Sequence, residues 1–127
     1  MQDGYWVRGV RGATTVQADE VELILDATRE LLSEMLRVNQ IDDFGVIASI
    51  FFTATPDLRA TFPAEAARAL GMTQVPLLCF QEIDVAGRLP RCVRIMMQVN
   101  TLKGQAEVRH VYLREARSLR PDLTSAQ

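Results

Sequence analysis

The sequence contains few of the residues that serve in acid–base, metal or covalent chemistry. It has one histidine, His110, and two cysteines, Cys79 and Cys92, among 127 residues. A metal site built from His and Cys at motif spacing is therefore absent, and two cysteines make a poor disulfide framework. The patterns GxxxxGKS/T, GxGxxG and GxSxG do not occur either. We expect no metal, no cofactor and two reduced thiols, as in a cytoplasmic protein.

Long hydrophobic runs and an excess of positive charge are also missing. No run of eighteen apolar residues occurs, and the N-terminal MQDGYWVRG lacks the basic and apolar regions of a signal peptide. The formal net charge of −2 argues against non-specific nucleic-acid binding. The sequence therefore predicts neither a nucleic-acid partner nor a membrane partner.

The composition that remains is typical of one soluble globular domain spanning residues 1–127. Hydrophobic residues make up 48% of the chain and charged residues 24%. Only Lys103 is lysine among the fourteen basic residues, so the others are arginines. Arginine is the better residue for planar, bidentate capture of carboxylates.

Hydrophobic periodicity predicts five strands and two main helices. Asp19 is a candidate N-cap of the first helix, Pro63 suits the first turn of the second helix, and Gly71 suits its C-terminal end. This order of elements indicates an α/β or α+β mixed sheet with helices packed on one face. Strands are predicted at 5–13, 46–55, 75–85, 91–100 and 107–115, helices within 14–39 and at 62–71, and a short helical turn within 116–123.

The predicted strand CVRIMMQV, residues 92–99, carries an arginine in an otherwise apolar pattern. At period two, Val93, Ile95, Met97 and Val99 form an apolar face, and Arg94 lies on the opposite one. A buried, unpaired charge is costly, so Arg94 needs an anion from the protein or from outside. Glu82 is one of few carboxylates in an apolar setting. It is either the ion-pair partner of Arg94 or, with Arg94, part of a cleft for a polar anionic ligand.

For the remaining candidates, the pattern alone favours structural roles. Arg11 is typical of a surface arginine at a strand end, and Cys79 of a small buried hydrophobe. Tyr112 is typical of a half-buried strand aromatic, and His110 is expected to be structural. Arg120 lies near the terminus, where disorder is the default.

Six stretches, read together, match one enzyme family. They are VRGVRGATTV, TATPDL, FPAEAAR, VPLLCFQEIDV, RCVRIMMQVNT and VRHVYLREARSLRPDL, and they span nearly the whole chain in order. The chain closely resembles the monofunctional chorismate mutases of the trimeric, Bacillus-type family. The resemblance implies a homotrimeric pseudo-α/β barrel with three active sites between subunits. It also implies the rearrangement of chorismate to prephenate, a pericyclic step towards phenylalanine and tyrosine that needs no proton, metal, redox cofactor or covalent nucleophile.

The resemblance implies roles for individual residues. Arg94 resembles the arginine that reaches the ether oxygen and a substrate carboxylate, and Arg11 the one that grips a carboxylate across the subunit boundary. Glu82 resembles the acceptor of the ring hydroxyl's hydrogen bond, which completes the predicted catalytic set. Further implied substrate-binding residues are Cys79 beside that hydroxyl, Tyr112 at a carboxylate, Phe62 and Ala64 in a lining loop, Arg68 near the mouth, Leu77 and Leu78 in the wall, and Leu119 and Arg120 in a mobile C-terminal segment.

The sequence departs from the family pattern in three places. Glu65 stands where a well-known version has lysine, the loop RALGMTQVP is one residue shorter, and residues 1–5 form an N-terminal extension. Residues 119–127 are predicted to be a flexible tail of the same domain.

Two other functions remain open from the sequence. A trimeric binding module would hold a small carboxylate in the same clefts without turnover. A trimeric deaminase of reactive enamines would have a similar shape, but FQEIDV and RHVYLREARSLRPDL do not belong to its pattern.

Overall fold

The computed structural model describes residues 4–119, which form one mixed sheet with helices packed against it. The predicted order of strands and helices is confirmed. The elements are β1 (Trp6–Thr15), α1 (Val21–Val38), β2 (Ile47–Ala54), α2 (Ala64–Ala69), β3 (Leu77–Gln81), β4 (Cys92–Thr101) and β5 (Val111–Tyr112), with short 3-10 helices at Phe44–Val46, Gln105–Glu107 and Arg114–Leu119.

The strands lie in the order β3-β2-β4-β1-β5. β4 runs antiparallel to both of its neighbours, β1 and β2. The outer strands β3 and β5 each run parallel to the strand beside them. The predicted fold class, a mixed α+β sheet with packed helices, is confirmed.

One face of the sheet is covered by α1 and holds the main hydrophobic core. The buried side chains of α1 recur at the three- and four-residue spacing of an amphipathic helix. They meet the apolar face of β4 that the sequence predicts, together with inward-pointing residues of β1 and β2. Fully buried members of this core include Leu31, Leu32, Met35, Val10, Ile50, Phe52 and Met97. We call this surface the helix face.

Gly12 allows α1 to lie close to β1. A Cβ atom at this position would lie 2.5 Å from Met35 Sδ and 3.0 Å from Leu31 Cδ1, so the ends of both side chains would have to shift. The absence of a side chain at Gly12 therefore allows this close packing of helix and strand. Arg11, the next residue along β1, points to the other side of the sheet.

The predicted N-cap of α1 is wrong. The N-cap residue is Glu20, and its side chain makes no capping hydrogen bond. The Asp19 carboxylate instead accepts the backbone N–H groups of Arg59 (2.8 Å) and Ala60 (2.9 Å). These donors belong to the loop after β2, so Asp19 fastens that loop to the start of α1 rather than capping the helix.

Three predicted elements are markedly shorter in the structure. Helix α2 covers residues 64–69 rather than 62–71, because Pro63 serves as its N-cap and Leu70 as its C-cap, with Gly71 following at φ 101°. Strand β3 ends at Gln81 rather than at residue 85. Strand β5 has two residues, because the chain leaves β1 at Arg114, whose φ is 53°.

The other side of the sheet, which we call the open face, carries a mixture of charged and apolar side chains. Neither α1 nor α2 packs on it, and Leu78 and Phe80 are 55% and 48% exposed there. The 3-10 helix Arg114–Leu119 covers one end, where Ala116 and Leu119 pack against Ala13 and Cys92. In the part of the chain that the structure describes, no helix has the length and apolar character needed to cross a membrane.

Candidate active site

A cleft on the open face is lined by three of the predicted site residues, Arg11, Arg94 and Tyr112. Strand register places them there, since Ala13 of β1 is paired with Arg94 on one side and with Tyr112 on the other. Paired residues point to the same face of a sheet, and the small Ala13 leaves space between its two larger neighbours. The cleft has a volume of about 240 Å³. Pockets for small ligands are usually larger, roughly 300–1,000 Å³.

Glu82 lies at the end of this cleft, directly after β3. Its Oε2 accepts a hydrogen bond from Thr53 Oγ1 at 2.5 Å and lies 3.3 Å from Arg94 Nε. Its Oε1 lies 3.5 Å from Arg88 Nη1. The structure thus contains the Arg94–Glu82 ion pair that the sequence pattern left open. The Arg94 side chain is 33% exposed, so this pair faces the cleft and is not sealed in the core.

Two titratable side chains next to the charged residues, Cys92 and His110, are neutral at pH 7. Burial raises the pKa of the Cys92 thiol, although the neighbouring Arg94 acts to lower it. Burial lowers the pKa of His110, and the nearby Arg11 guanidinium lowers it further. Neutral His110 accepts the backbone N–H of Arg11 at its Nδ1, at 3.0 Å. His110 therefore supports the backbone of Arg11, in line with the structural role expected for it.

A second group of predicted residues lies around the start of α2. Burial raises the pKa of the Cys79 thiol, while the Ala64 amide, which donates a hydrogen bond to it, and the nearby Arg68 act to lower it. Arg68 is paired with Glu65 at 2.7 Å, and both side chains are about half exposed. Phe62, just before α2, is 67% exposed. Leu77, also predicted as a wall residue, packs against the core from the same side.

The two groups lie on opposite faces of the sheet. Cys79 is in register with Phe52, which is fully buried on the helix face, whereas Arg94 is in register with Thr53 on the open face. Within one chain the sheet therefore separates Cys79 and its neighbours from Arg94 and its neighbours. The structure brings together Arg11, Glu82, Arg94 and Tyr112, and separately Phe62, Ala64, Arg68, Leu77 and Cys79.

The remaining predicted residues are Leu78, Leu119 and Arg120. Leu78 lies on the open face, in register with Phe51. Leu119, the first residue of the predicted tail, is partly buried against the end of the open face. Arg120 lies outside the described residues.

Sequence reasoning missed two polar residues of the site, Thr53 and Arg88. Thr53 meets Glu82 because β2 pairs with both β3 and β4, and no local pattern reveals the register of strands that far apart in sequence. Arg88 lies in AGRLP, the turn between the predicted strands at 75–85 and 91–100, and the sequence gives it no further role. Its contact with Glu82 depends on how that turn folds back.

A larger cleft, of about 540 Å³, lies elsewhere and contains none of the predicted site residues. Two arginines line it, but both have partners in the protein. Arg91 Nε donates to the Val16 carbonyl oxygen at 2.9 Å, and Arg114 Nε donates to Glu30 at 3.1 Å. The predicted chemistry is therefore associated with the smaller cleft.

Comparisons with known proteins agree with the sequence resemblance. The family model for chorismate mutase type I matches residues 7–123. A protein of Thermus thermophilus named chorismate mutase AroH is 55% identical over 121 residues, covering 95% of this chain and 99% of the relative. Its counterpart of the same name in Bacillus subtilis is 47% identical over 119 residues, covering 93% of each chain.

A solved structure extends the agreement to the fold. The chorismate mutase from Clostridium thermocellum superimposes with a TM-score of 0.85 at 46% sequence identity, over 87% of this chain and 97% of the other. The predicted family is thus confirmed by sequence and by structure. This chain belongs to the type I chorismate mutase family.

Proposed function

We propose that this protein is an isomerase that converts chorismate to prephenate in the cytoplasm, a step towards phenylalanine and tyrosine. Membership of the chorismate mutase family supports the reaction. The observation that carries the proposal is the open-face cleft, where Arg11, Arg94 and Tyr112 converge beside Glu82. These groups suit a substrate with two carboxylates and a hydroxyl, and the reaction requires no nucleophile or acid–base relay.

The reaction requires the protein to hold the substrate in a compact conformation. It also requires the protein to stabilise the negative charge that builds on the ether oxygen as the carbon–oxygen bond breaks. In our proposal Arg94 donates to that oxygen and to a carboxylate, in a position fixed before the substrate arrives. Arg11 and Tyr112 bind carboxylate groups. Glu82 accepts the hydrogen bond of the ring hydroxyl.

We propose further that the chain is a single domain that forms a homotrimer, with each active site between two subunits. The separation of the predicted residues supports this, because the sheet keeps Cys79 and Arg68 away from Arg94 within one chain. The cleft is small for a complete pocket, and exposed Leu78 and Phe80 leave apolar surface uncovered. In the trimer, one subunit supplies Arg11, Glu82, Arg94 and Tyr112, so Arg11 acts from the same subunit as Arg94 and not across the boundary as the resemblance implies. The neighbour supplies Phe62, Ala64, Arg68, Leu77 and Cys79. Leu78 lines the open face, and Leu119 and Arg120 close over the ligand.

The first test is the loss of chorismate ultraviolet absorbance with the wild type and the Arg94→Ala variant. We expect the wild type to form prephenate and the variant to be slower by at least about 10²–10³-fold, the usual cost of removing one preorganised donor. Arg29→Ala is the matched control, because it removes an exposed helical arginine that is paired with Asp26. A folded but inactive wild type would contradict the proposal and favour the binding-module alternative.

A mixing experiment tests the position of the site between subunits. Arg94→Ala and Arg68→Ala each damage one of the two groups, so a mixed trimer regains one site with both arginines. We expect co-refolded mixtures to be more active than the sum of the two separate variants. If mixed trimers form, as shown by mass, and their activity equals that sum, then the site does not span two subunits.

A further inference from the structure

The loop between β3 and β4 places Arg88 next to Glu82 of the site. Gly87, at φ 82°, and a hydrogen bond from Arg88 N–H to the Val85 carbonyl oxygen (3.3 Å) form its turn. The neighbouring apolar side chains of Ile83 and Val85 are 83% and 59% exposed, yet the Arg88 side chain is only 18% exposed. The loop thus exposes apolar side chains while the Arg88 side chain is mostly buried.

The contacts of Arg88 explain its burial. Nη1 donates to the Ile83 carbonyl oxygen at 2.6 Å, and this contact fixes the guanidinium next to Glu82. The same Nη1 lies 3.5 Å from Glu82 Oε1, and Nη2 lies 3.3 Å from Asp84 Oδ1. Asp84 is 78% exposed, so water and salt screen that pair, whereas Glu82 is 13% exposed and its interactions are screened much less.

Glu82 therefore lies between two guanidinium groups. Its Oε1 faces Arg88, and its Oε2 faces Arg94 and accepts the Thr53 hydroxyl. The Glu82 carboxylate is thus held from both sides, and the Arg94 side chain, which is 33% exposed, faces the cleft.

We propose that Arg88 is a positioning residue, which holds the Glu82 carboxylate in place beside Arg94. Arg88 acts only through Glu82. Thr53 fixes the other carboxylate oxygen, Oε2, by donating a hydrogen bond to it. The inference rests on the proposed roles of Glu82 and Arg94 in the conversion of chorismate.

Removal of Arg88 takes away the partner of Glu82 Oε1, so the carboxylate turns more freely. This freedom disturbs the geometry of the bound substrate, so we expect kcat to fall more than KM rises. The expected loss in kcat/KM for Arg88→Ala is about three- to tenfold, in the range of couplings between contacting charged residues. Arg88→Lys keeps the charge without the planar fork, and its activity should be intermediate.

The decisive experiment is a double-mutant cycle on chorismate turnover with the wild type, Arg88→Ala, Glu82→Gln and the double variant. Rates are compared per folded oligomer, checked by size-exclusion chromatography, and Arg29→Ala again serves as the control for loss of an exposed, ion-paired arginine. If Arg88 acts through Glu82, then Arg88→Ala slows the wild type but has no further effect in the Glu82→Gln background.

Two outcomes would overturn the inference, and they are distinguishable. If Glu82→Gln is slow and Arg88→Ala lowers kcat by the same factor in both backgrounds, then Arg88 does not act through Glu82, while the proposed function stands. If Glu82→Gln is as fast as the wild type, then the proposed role of Glu82 fails and the role of Arg88 fails with it.

Discussion

The two faces of one sheet differ in how far a single chain completes them. On the helix face, apolar side chains of β1, β2 and β4 meet α1, and side chains such as Phe52 and Leu31 are fully buried. On the open face, the same three strands present Arg11, Arg94 and Thr53 beside Phe51. Alternation along each strand produces both surfaces from adjacent residues.

This difference shows how stability and chemistry can share the same strands. Burial of apolar area on the helix face provides most of the free energy that keeps the sheet folded. The charged residues on the open face need not contribute to that free energy, because they are held by strands that are already fixed from behind. Substitutions on the two faces should therefore separate stability from activity.

The largest contrast is expected between two adjacent phenylalanines. Phe52 is fully buried on the helix face, while Phe51 lines the cleft and packs edge-on against Phe80 at 5.8 Å between ring centres. Phe52→Ala should lower the free energy of unfolding by about 3–5 kcal/mol, because it leaves a cavity in the core. Phe51→Ala should cost less stability and should raise the KM for chorismate. Denaturant titration and steady-state kinetics measure both quantities, and equal losses of stability in the two variants would contradict the comparison.

A smaller effect is expected at the glycines of β1. Gly12→Ala places a methyl group against Met35 and Leu31, and it should lower the free energy of unfolding by about 1–3 kcal/mol through overpacking. Gly9→Ala is the matched control, because a Cβ there would meet Met96 Sδ at 3.4 Å, an ordinary contact. Thermal and denaturant unfolding of both variants test this. A Gly9→Ala variant as unstable as Gly12→Ala would indicate that strand propensity, and not the distance to α1, governs this position.

The smallest effect is expected from the titration of His110, at the junction of β1 and β5. Its folded-state pKa lies below the ordinary value of about 6.5, because burial and Arg11 disfavour the imidazolium ion. As the pH falls, His110 is therefore protonated at a higher pH in the unfolded chain than in the folded protein. The contribution to stability is fully present above pH 6.5 and is lost as the pH falls from there through the folded-state pKa.

Comparison of unfolding free energies for the wild type and His110→Asn at several pH values isolates this contribution. The asparagine amide oxygen can accept a hydrogen bond but does not titrate. We expect a slightly shallower loss of stability below pH 6.5 in the variant. Parallel curves for the two proteins would show that His110 does not contribute to the pH dependence.

The sequence predicts features that depend on local periodicity better than features that depend on register. Strict alternation in β4 correctly separates Val93 from Arg94, since each side of a strand has one environment. The role of Asp19 is wrongly predicted, because the N–H groups that it accepts come from residues 59 and 60. The Arg94–Glu82 contact stays ambiguous in the sequence, and Arg88 has no signal at all, because a turn of unknown path decides where it points.

The position of β1 between β4 and β5 has a consequence for synthesis of the protein. In the described sheet β1 pairs only with β4 and β5, so its partners are not complete until Thr101 and Tyr112 have been made. At the usual rate of roughly 5–20 residues per second, the first strand waits several seconds for its neighbours on the ribosome. Arg11 is thus among the first residues to be synthesised and among the last to reach its place.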